Sequence, residues 1–239
     1  LTRIKTQDGE EREVESELLK PYLKGGEVKR YKPLDPKYSL IFPYRTDGDE
    51  PKFVEEEEMQ EEFPKAYSYF KEHEDRLRKR DGGSMDGERW YDLTRNQNLK
   101  EFEQKKISTP ETSYGSNFTL DSDGVYHKSM VYSILLNDDV ALSPEYLLSI
   151  LNSSVLWFFL SNTGGGNILR GGYFRFKTDY LNPFSVPAIE FQMSEEERKR
   201  KTKTLEESYE EFLDSGQRPE IEAEEEVLHD FLTFLSQQM

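Results

Sequence analysis

The sequence predicts a mixed α+β protein: a twisted, largely antiparallel sheet with flanking helices and a helical appendage at its C-terminal end. Two segments, residues 64–81 and 143–163, have the apolar spacing and the end signals of helices. Between them lie short segments rich in β-branched and aromatic residues and separated by turn residues, as in antiparallel strands. Two charged, weakly amphipathic segments, residues 194–214 and 220–238, follow as the appendage.

The first helix, residues 64–81, starts at a proline, which is favoured there because its missing N–H would have no partner in the first turn. Phe70 and Leu77 lie on one apolar stripe, and Gly82 is suited to end the helix. Its last turn carries four cations, Arg76, Arg78, Lys79 and Arg80. These cations either complement the helix dipole or contact phosphate, and the sequence leaves both interpretations open.

The segments before this helix carry weaker patterns. Residues 1–16 lack apolar periodicity and are predicted to be a linker that follows a preceding domain. Leucines and a tyrosine within residues 18–23 have helical spacing and precede Gly25, which predicts a short helix. Residues 38–44 are predicted to form a strand that ends at a proline. The acidic run at residues 54–63 is interpreted as a solvated face.

The central strands are predicted at residues 106–114, 117–121 and 125–136. Gly115 and Gly124 separate them, and glycine permits the positive φ angles that tight hairpin turns require. The segment therefore predicts an antiparallel region.

The second helix, residues 143–163, has Ser143 as its N-cap and Pro144 at its first position. Its apolar residues surround much of the circumference, so we expect it to lie in the core. Gly164 follows directly and is predicted to end it.

The composition predicts a folded protein of the reducing cytoplasm. A chain of 239 residues can bury one core and an appendage, and an aromatic content of 13% is too high for a disordered chain. The absence of cysteine excludes disulfides, thiolate metal sites and cysteine nucleophiles. The longest apolar run, residues 146–160, is too short and too often interrupted by polar residues to cross a membrane.

The net charge of −16 argues against a nucleic-acid ligand until its distribution is considered. Residues 1–75 contain 13 Lys and Arg against 20 Asp and Glu, and residues 190–239 contain 6 against 15. Residues 76–130 contain 10 against 9, so the middle of the chain is neutral to slightly basic. Adaptation to a salty cytoplasm would also explain the acidic surplus, and it would leave a binding face intact.

No catalytic or metal-binding pattern is recognisable. His73, His127 and His229 lie far apart in the sequence, and none has a second ligand at metal-binding spacing. The phosphate-binding pattern GxxxxGK[ST] is absent, and the glycines at residues 164–172 do not stand between a strand and a helix as in a dinucleotide turn. We therefore expect no catalytic residue, no metal and no cofactor in this chain.

A loop at residues 84–104 contains side chains suited to DNA. Guanidinium groups pair bidentately with guanine and carboxamides with adenine, so their mixture suits recognition of base edges. The candidates for DNA binding in this loop are Arg89, Trp90, Tyr91, Arg95, Asn96 and Asn98. The alternative is an ordinary surface loop in which Trp90 fills the core.

A second group of candidates follows in the chain. Alternation places Phe174 and Phe176 towards the core and the residues between and beside them towards solvent. The candidates are the polar tip Ser113, Tyr114 and Asn117, and the glycine-rich ribbon Asn167, Arg170, Tyr173, Arg175 and Lys177. The functional interpretation is positioning of phosphates, and the alternative is a solvated strand beside a flexible loop.

The order of five segments carries a family resemblance. These segments are LLKPYLKGGEVKRY, WYDLTRNQN, KISTPETSYGSNFTLDSDGVYHKSMVYSI, YLLSILNSSVLWFFL and YLNPFSVP. In this order they resemble the TaqI-like C-terminal specificity domain, the target-recognition domain of adenine-specific DNA methyltransferases and type II restriction–modification enzymes. The resemblance covers residues 17–188, which we predict to be the target-recognition domain, followed by a helical tail at residues 189–239.

The resemblance implies a module that recognises a short sequence in double-stranded DNA and presents it to a linked methyltransferase domain. S-adenosylmethionine is expected only in that linked domain, and this chain by itself is not expected to be an enzyme. Two alternatives remain at this stage. One is an acidic protein-interaction module without a role in DNA binding, and the other is a catalytic domain that uses scattered carboxylates and a metal.

Overall fold

The computed structural model describes residues 1–48, 50–128, 130–163, 168–218 and 221–239. The chain divides into two compact units, and each unit is assembled from separate stretches of sequence. The first unit contains Leu1–Leu23, Pro36–Gln104 and Asp123–Tyr126. The second unit contains Lys24–Asp35, Lys105–Ser122 and His127–Met239.

The first unit begins with an antiparallel hairpin of strands β1 (Thr2–Lys5) and β2 (Glu11–Val14). Val14 is fully buried and Ile4 packs against the same core, so these first residues are part of the folded unit. The sequence predicts only a linker here, because a hairpin this short shows little periodicity. The prediction that it follows a preceding domain stays a prediction.

Strands β3 (Leu19–Leu23) and β4 (Tyr38–Ile41) pair antiparallel, with Leu19 opposite Ile41. The helix predicted at residues 18–23 is therefore wrong. Leu18 and Leu23 are both buried, which a helix would also achieve. The backbone of residues 19–22, however, pairs with a strand that is distant in the sequence. This distant pairing outweighs the helical spacing. Strands β5 (Tyr44–Arg45) and β6 (Lys52–Phe53) form a further antiparallel pair.

Three helices complete the regular structure of this unit: α1 (Glu56–Glu62), α2 (Pro64–Glu72) and α3 (Glu74–Arg78). The acidic run forms α1 because Met59 on its inner side is fully buried while its carboxylates stay in solvent. The single helix predicted at residues 64–81 is broken at His73, whose φ of −112° and ψ of 11° are not helical. Short 3₁₀ turns follow at Arg80–Gly83 and Lys100–Glu103.

The core of the first unit is strongly aromatic. The Tyr91 ring stacks between Phe53 and Phe70, with ring centroids 5.1 and 5.3 Å away. Trp90 meets Tyr91 edge to face at 5.0 Å and is fully buried. Such aromatic pairs add favourable contact energy to the burial of their large apolar surface.

The second unit contains a three-stranded antiparallel sheet in the order β11–β7–β9. Its strands are β7 (Lys106–Pro110), β9 (Thr119–Asp121) and β11 (Val131–Ile134). Strand β10 (Tyr126–His127) lies where the chain passes from the first unit to the second. Strands β8 (Thr112–Ser113) and β12 (Phe174–Arg175) pair separately. The predicted antiparallel pairing is confirmed, but in the described residues it is divided among small sheets.

The predicted core helix at residues 143–163 is present as two helices, α4 (Pro144–Leu151) and α5 (Ser154–Thr163). The break follows from Asn152, which is 1% exposed. Its Oδ1 accepts from Phe118 N at 3.1 Å and its Nδ2 donates to Phe118 O at 2.9 Å. Ser143 caps α4 as predicted, since its Oγ accepts from Tyr146 N at 3.0 Å. The predicted cap Gly164 lies outside the described residues.

The C-terminal part contains α6 (Thr178–Leu181), α7 (Glu195–Ser215) and α8 (Glu225–Gln238). Helix α8 packs against α7 and also against α4. His229 on α8 accepts from Ser143 N at 3.0 Å, and its ring lies 4.6 Å from that of Tyr146. The last helix thereby belongs to the packing of the second unit. In the described part of the chain, no helix combines the length and the apolar character needed to cross a membrane.

We expect His127 to make the stability of the second unit depend on pH. Burial, and then the positive charge of Lys106, lower the pKa of His127 from 6.5 to about 4. Between pH 6.5 and pH 4, His127 is therefore neutral in the folded protein but protonated in the unfolded chain. Stability that is present at pH 7 is consequently lost as the pH falls from 6.5 towards 4. We expect a loss of about 2 kcal/mol in the free energy of unfolding, measured with urea at pH 7 and pH 4.5.

The matched variant for this measurement is His127→Gln, which cannot take up a proton. Its free energy of unfolding should fall less over the same pH interval, because only the titration of other groups remains. Equal pH dependence in the two proteins would show that His127 does not contribute.

Candidate nucleic-acid interface

Arg80 connects the loop at residues 84–104, in the first unit, to the preceding helix α3 by hydrogen bonds. Its Nε donates to Leu77 O at 2.9 Å, and its Nη2 donates to Trp90 O at 2.9 Å and to Asp92 O at 2.8 Å. Burial lowers the pKa of Arg80 from its usual value. Its three hydrogen bonds give Arg80 a structural role, which neither of the two interpretations of the cationic cluster had anticipated.

Trp90 and Tyr91 anchor this loop in the core rather than on the surface. They are 0% and 2% exposed, and Tyr91 Oη donates to Val54 O at 2.7 Å. The structure agrees with the alternative interpretation, in which Trp90 fills the core. Neither side chain is accessible to a ligand at the surface, so both are left out of the proposed contact residues.

Arg89 is already engaged within the protein. Its guanidinium forms an ion pair with Glu55 and lies 4.7 Å above the ring of Phe53. The hydrogen bond to Glu55 raises the pKa of Arg89. About half of the side chain is exposed, so a phosphate would compete with Glu55 for it.

Asp92 determines which way Asn96 faces. The Asp92 carboxylate is 5% exposed and accepts from Tyr44 Oη, from Leu93 N at 2.5 Å and from Asn96 Nδ2 at 3.3 Å. Because a carboxylate can only accept, Asn96 must turn its NH₂ group towards Asp92. The carbonyl oxygen of Asn96 is then left as an acceptor for an outside donor, such as the exocyclic amino group of a base.

Arg95 and Asn98, two further candidates in this loop, are exposed. Among the described residues, no hydrogen bond or ion pair engages the Arg95 side chain. Asn98 has a φ of 59°, a left-handed conformation that asparagine tolerates better than most residues. An open cleft of about 520 Å³ lies beside the loop, and its lining includes Lys52, Arg89, Asn96, Asn98, Glu50 and Glu55.

The second group of candidates is brought together by the pairing of β8 with β12. Phe174 lies opposite Ser113 and Arg175 opposite Thr112. Before β12 the chain makes a tight turn, in which Leu169 N donates to Tyr173 O at 2.7 Å and Gly172 N donates to Leu169 O at 3.1 Å. The tip at residues 113–117 and the ribbon at residues 168–177 therefore form one surface within the second unit.

The predicted alternation along the ribbon is confirmed. Phe174 and Phe176 are 5% and 0% exposed, whereas Tyr173 is 48% exposed. Arg170 is exposed and Arg175 half-buried, and no ion pair holds either guanidinium among the described residues. Lys177 Nζ lies 3.4 Å from a carboxylate oxygen of Glu111. Within the described part of the chain, the ribbon thus presents two guanidinium groups without a carboxylate partner and one partly neutralised lysine.

At the tip, two of the predicted contact residues are engaged within the protein instead. Ser113 is 7% exposed and donates from Oγ to Gly115 O at 2.6 Å. Asn117 Oδ1 accepts from Arg30 N at 3.2 Å. Tyr114 is 71% exposed and remains available. The candidate Asn167 lies outside the described residues.

Arg80 and Asp92 are residues of the first unit whose structural roles the sequence did not indicate. Arg80 was considered only as part of a cationic cluster, and Asp92 only as one of many carboxylates. Their roles arise from hydrogen bonds to the loop that follows α3, which no spacing rule reports. Across the described part of the chain, no three His, Asp or Glu side chains are grouped so that they could hold a metal ion.

The described residues form a mixed α+β fold, with polar side chains on a loop in one unit and on a ribbon in the other. Residues 20–186 match the TaqI-like C-terminal specificity domain family, and the chain belongs to this family. The resemblance noted in the sequence is thereby confirmed.

A curated relative is the type II restriction enzyme and methyltransferase RM.Eco57I of Escherichia coli. It is 27% identical to the chain over 198 residues, an alignment that covers 77% of this chain. The same alignment covers 20% of the relative, so the chain spans about a fifth of the length of that protein.

Proposed function

We propose that this chain recognises a short sequence in double-stranded DNA as the specificity domain of a restriction–modification enzyme. The observation that carries the proposal is the pairing of β8 with β12, which gathers Tyr114, Tyr173 and Arg175 on one exposed surface of the second unit. The family supports the same function, and so does the relative, whose name describes a restriction enzyme and methyltransferase.

The two groups of exposed side chains suit different parts of DNA recognition. Arg170, Arg175 and Lys177 are cations on or beside a short strand and are suited to phosphates, which fix position without reporting sequence. The loop of the first unit offers the guanidinium of Arg95 as a donor and the carbonyl oxygen of Asn96 as an acceptor. Donors and acceptors of this kind distinguish bases by their edges.

The catalytic groups and the S-adenosylmethionine site belong, in this proposal, to a linked methyltransferase domain. The relative is named for both activities, and the alignment covers only 20% of its length. The linked domain would also contribute to affinity, because a chain with a net charge of −16 is repelled by DNA at long range. Binding by the full-length protein should nevertheless weaken as salt is raised, because each Lys or Arg that contacts a phosphate releases counterions from the DNA.

Replacing Arg175 and Arg95 separately by alanine should have different consequences in the full-length protein. The Arg175→Ala variant should bind all DNA sequences about tenfold more weakly, and the slope of log affinity against log salt should become less negative by about one unit. The Arg95→Ala variant should instead relax the choice of base at one position of the recognised site, at a cost of about 1–3 kcal/mol in discrimination. Binding titrations over a set of single-base-pair variants of the recognised duplex measure both effects.

The matched control is Arg3→Ala, which removes the same charge from an exposed position in β1 where the side chain is 71% exposed. It should leave affinity, salt slope and base preference nearly unchanged. If all three variants bind every duplex as the unmodified protein does, the proposed function is wrong.

A further inference from the structure

Tyr114 carries an aromatic side chain that is exposed to solvent. It is 71% exposed and lies near Tyr173, since the two tyrosines are adjacent in sequence to the paired residues Ser113 and Phe174. The two rings meet edge to face with centroids 6.2 Å apart and planes at 74°. Trp157 supports the cluster from α5, with its ring centroid 6.3 Å from that of Tyr114.

The backbone of the ribbon is shaped to receive this ring. Gly172 has a φ of 79°, a value that residues with a side chain rarely adopt. A Cβ placed there would lie 3.3 Å from Cε2 of Tyr114. Glycine at this position therefore allows both the turn and the close approach of the tyrosine. One side of the Tyr114 ring is thus backed by protein, and the other side is open to a ligand.

The groups around this ring indicate the chemistry of its ligand. Arg170 and Arg175 belong to the same ribbon, and no ion pair engages either guanidinium in the described part of the chain. An exposed aromatic ring beside guanidinium groups suits a polyanion that carries flat rings, because the cations attract phosphates while the ring offers a stacking surface. An apolar protein segment would satisfy the ring but not the guanidinium groups.

We propose that Tyr114, supported by Tyr173 and the backbone of Gly172, stacks against a base that has left its place in the duplex stack. This proposal rests on the proposed function, since it requires DNA at the ribbon. Taking a base out of the stack is costly, and a ring that covers the exposed face of that base offsets part of the cost. The ribbon would then favour DNA that opens easily.

The test compares two short duplexes that differ at one position, where 2-aminopurine is either paired with thymine or mismatched with cytosine. The full-length protein should bind the mismatched duplex more tightly and quench the fluorescence of 2-aminopurine. The Tyr114→Ala variant should lose about tenfold in affinity for the mismatched duplex, lose the preference and lose the quenching. The Tyr114→Phe variant keeps the ring and should keep all three properties.

The variant Arg175→Ala separates this proposal from general DNA binding, since it should weaken binding to both duplexes equally and leave the preference intact. If Tyr114→Ala retains preference and quenching while DNA binding persists, the stacking role is wrong and the proposed function stands. If the unmodified protein binds neither duplex, both proposals are overturned.

Discussion

Replacing Lys106 by methionine will lower the free energy of unfolding by about 3–5 kcal/mol. Lys106 Nζ lies 2.6 Å from Asp121 Oδ2, and the two side chains are 0% and 1% exposed. They lie opposite each other where β7 pairs with β9. Methionine fills a similar volume but leaves the carboxylate buried without this cation, and an uncompensated buried charge is strongly destabilising. Urea unfolding at pH 7 measures the loss.

The neighbouring residue supplies the control for this prediction. Lys105 forms an ion pair of 2.7 Å with Glu145, but its side chain is 45% exposed. Water solvates and screens such a pair, so Lys105→Met should cost no more than about 1 kcal/mol. The double variant Lys106→Met/Asp121→Leu removes both buried charges and should recover much of the stability lost by Lys106→Met. Similar costs for the two lysine variants would contradict the prediction.

The Trp90→Ala variant is expected to lose about 3–5 kcal/mol of stability, because a large, fully buried side chain leaves a cavity. Besides its contact with Tyr91, the Trp90 ring is approached by Lys71 and Arg78, each 5.4 Å from the ring centroid. The variant should therefore loosen the loop that carries Arg95 and Asn96 as well as the core beneath it. Thermal and urea unfolding measure the loss of stability.

The variant Trp90→Phe distinguishes loss of volume from loss of the indole. Among the described residues, Trp90 Nε1 is buried without a hydrogen-bond partner. Phenylalanine removes that unsatisfied donor and keeps an aromatic ring, so it should cost clearly less than alanine. If Trp90→Ala lost less than about 1 kcal/mol, the side chain would not be the core anchor that its burial indicates.

Much of the fold could be predicted because its signals are local. Ser143 and Pro144 mark the start of α4, and the charged, weakly amphipathic segments became α7 and α8. The alternation around Phe174 and Phe176 gave the correct inward and outward faces of the ribbon. In each case the residues that determine the conformation lie within a few positions of one another.

The candidate contact residues could be predicted only in part, because exposure depends on residues far away in the sequence. The sequence treated Trp90, Ser113 and Tyr114 alike as candidates. The structure buries the first in the aromatic core, uses the second to hold a turn and leaves the third in solvent. No composition rule separates these three outcomes.

By itself, the sequence determined the α+β class, the start of α4 and the family. Only the tertiary structure decided that residues 19–23 form a strand, that Asn152 divides the core helix, and that the tip and the ribbon share a surface. Caps and periodicity are properties of neighbouring residues. Strand pairing, burial and the partners of a polar side chain depend on which distant segments meet, and that is fixed only when the whole chain has packed.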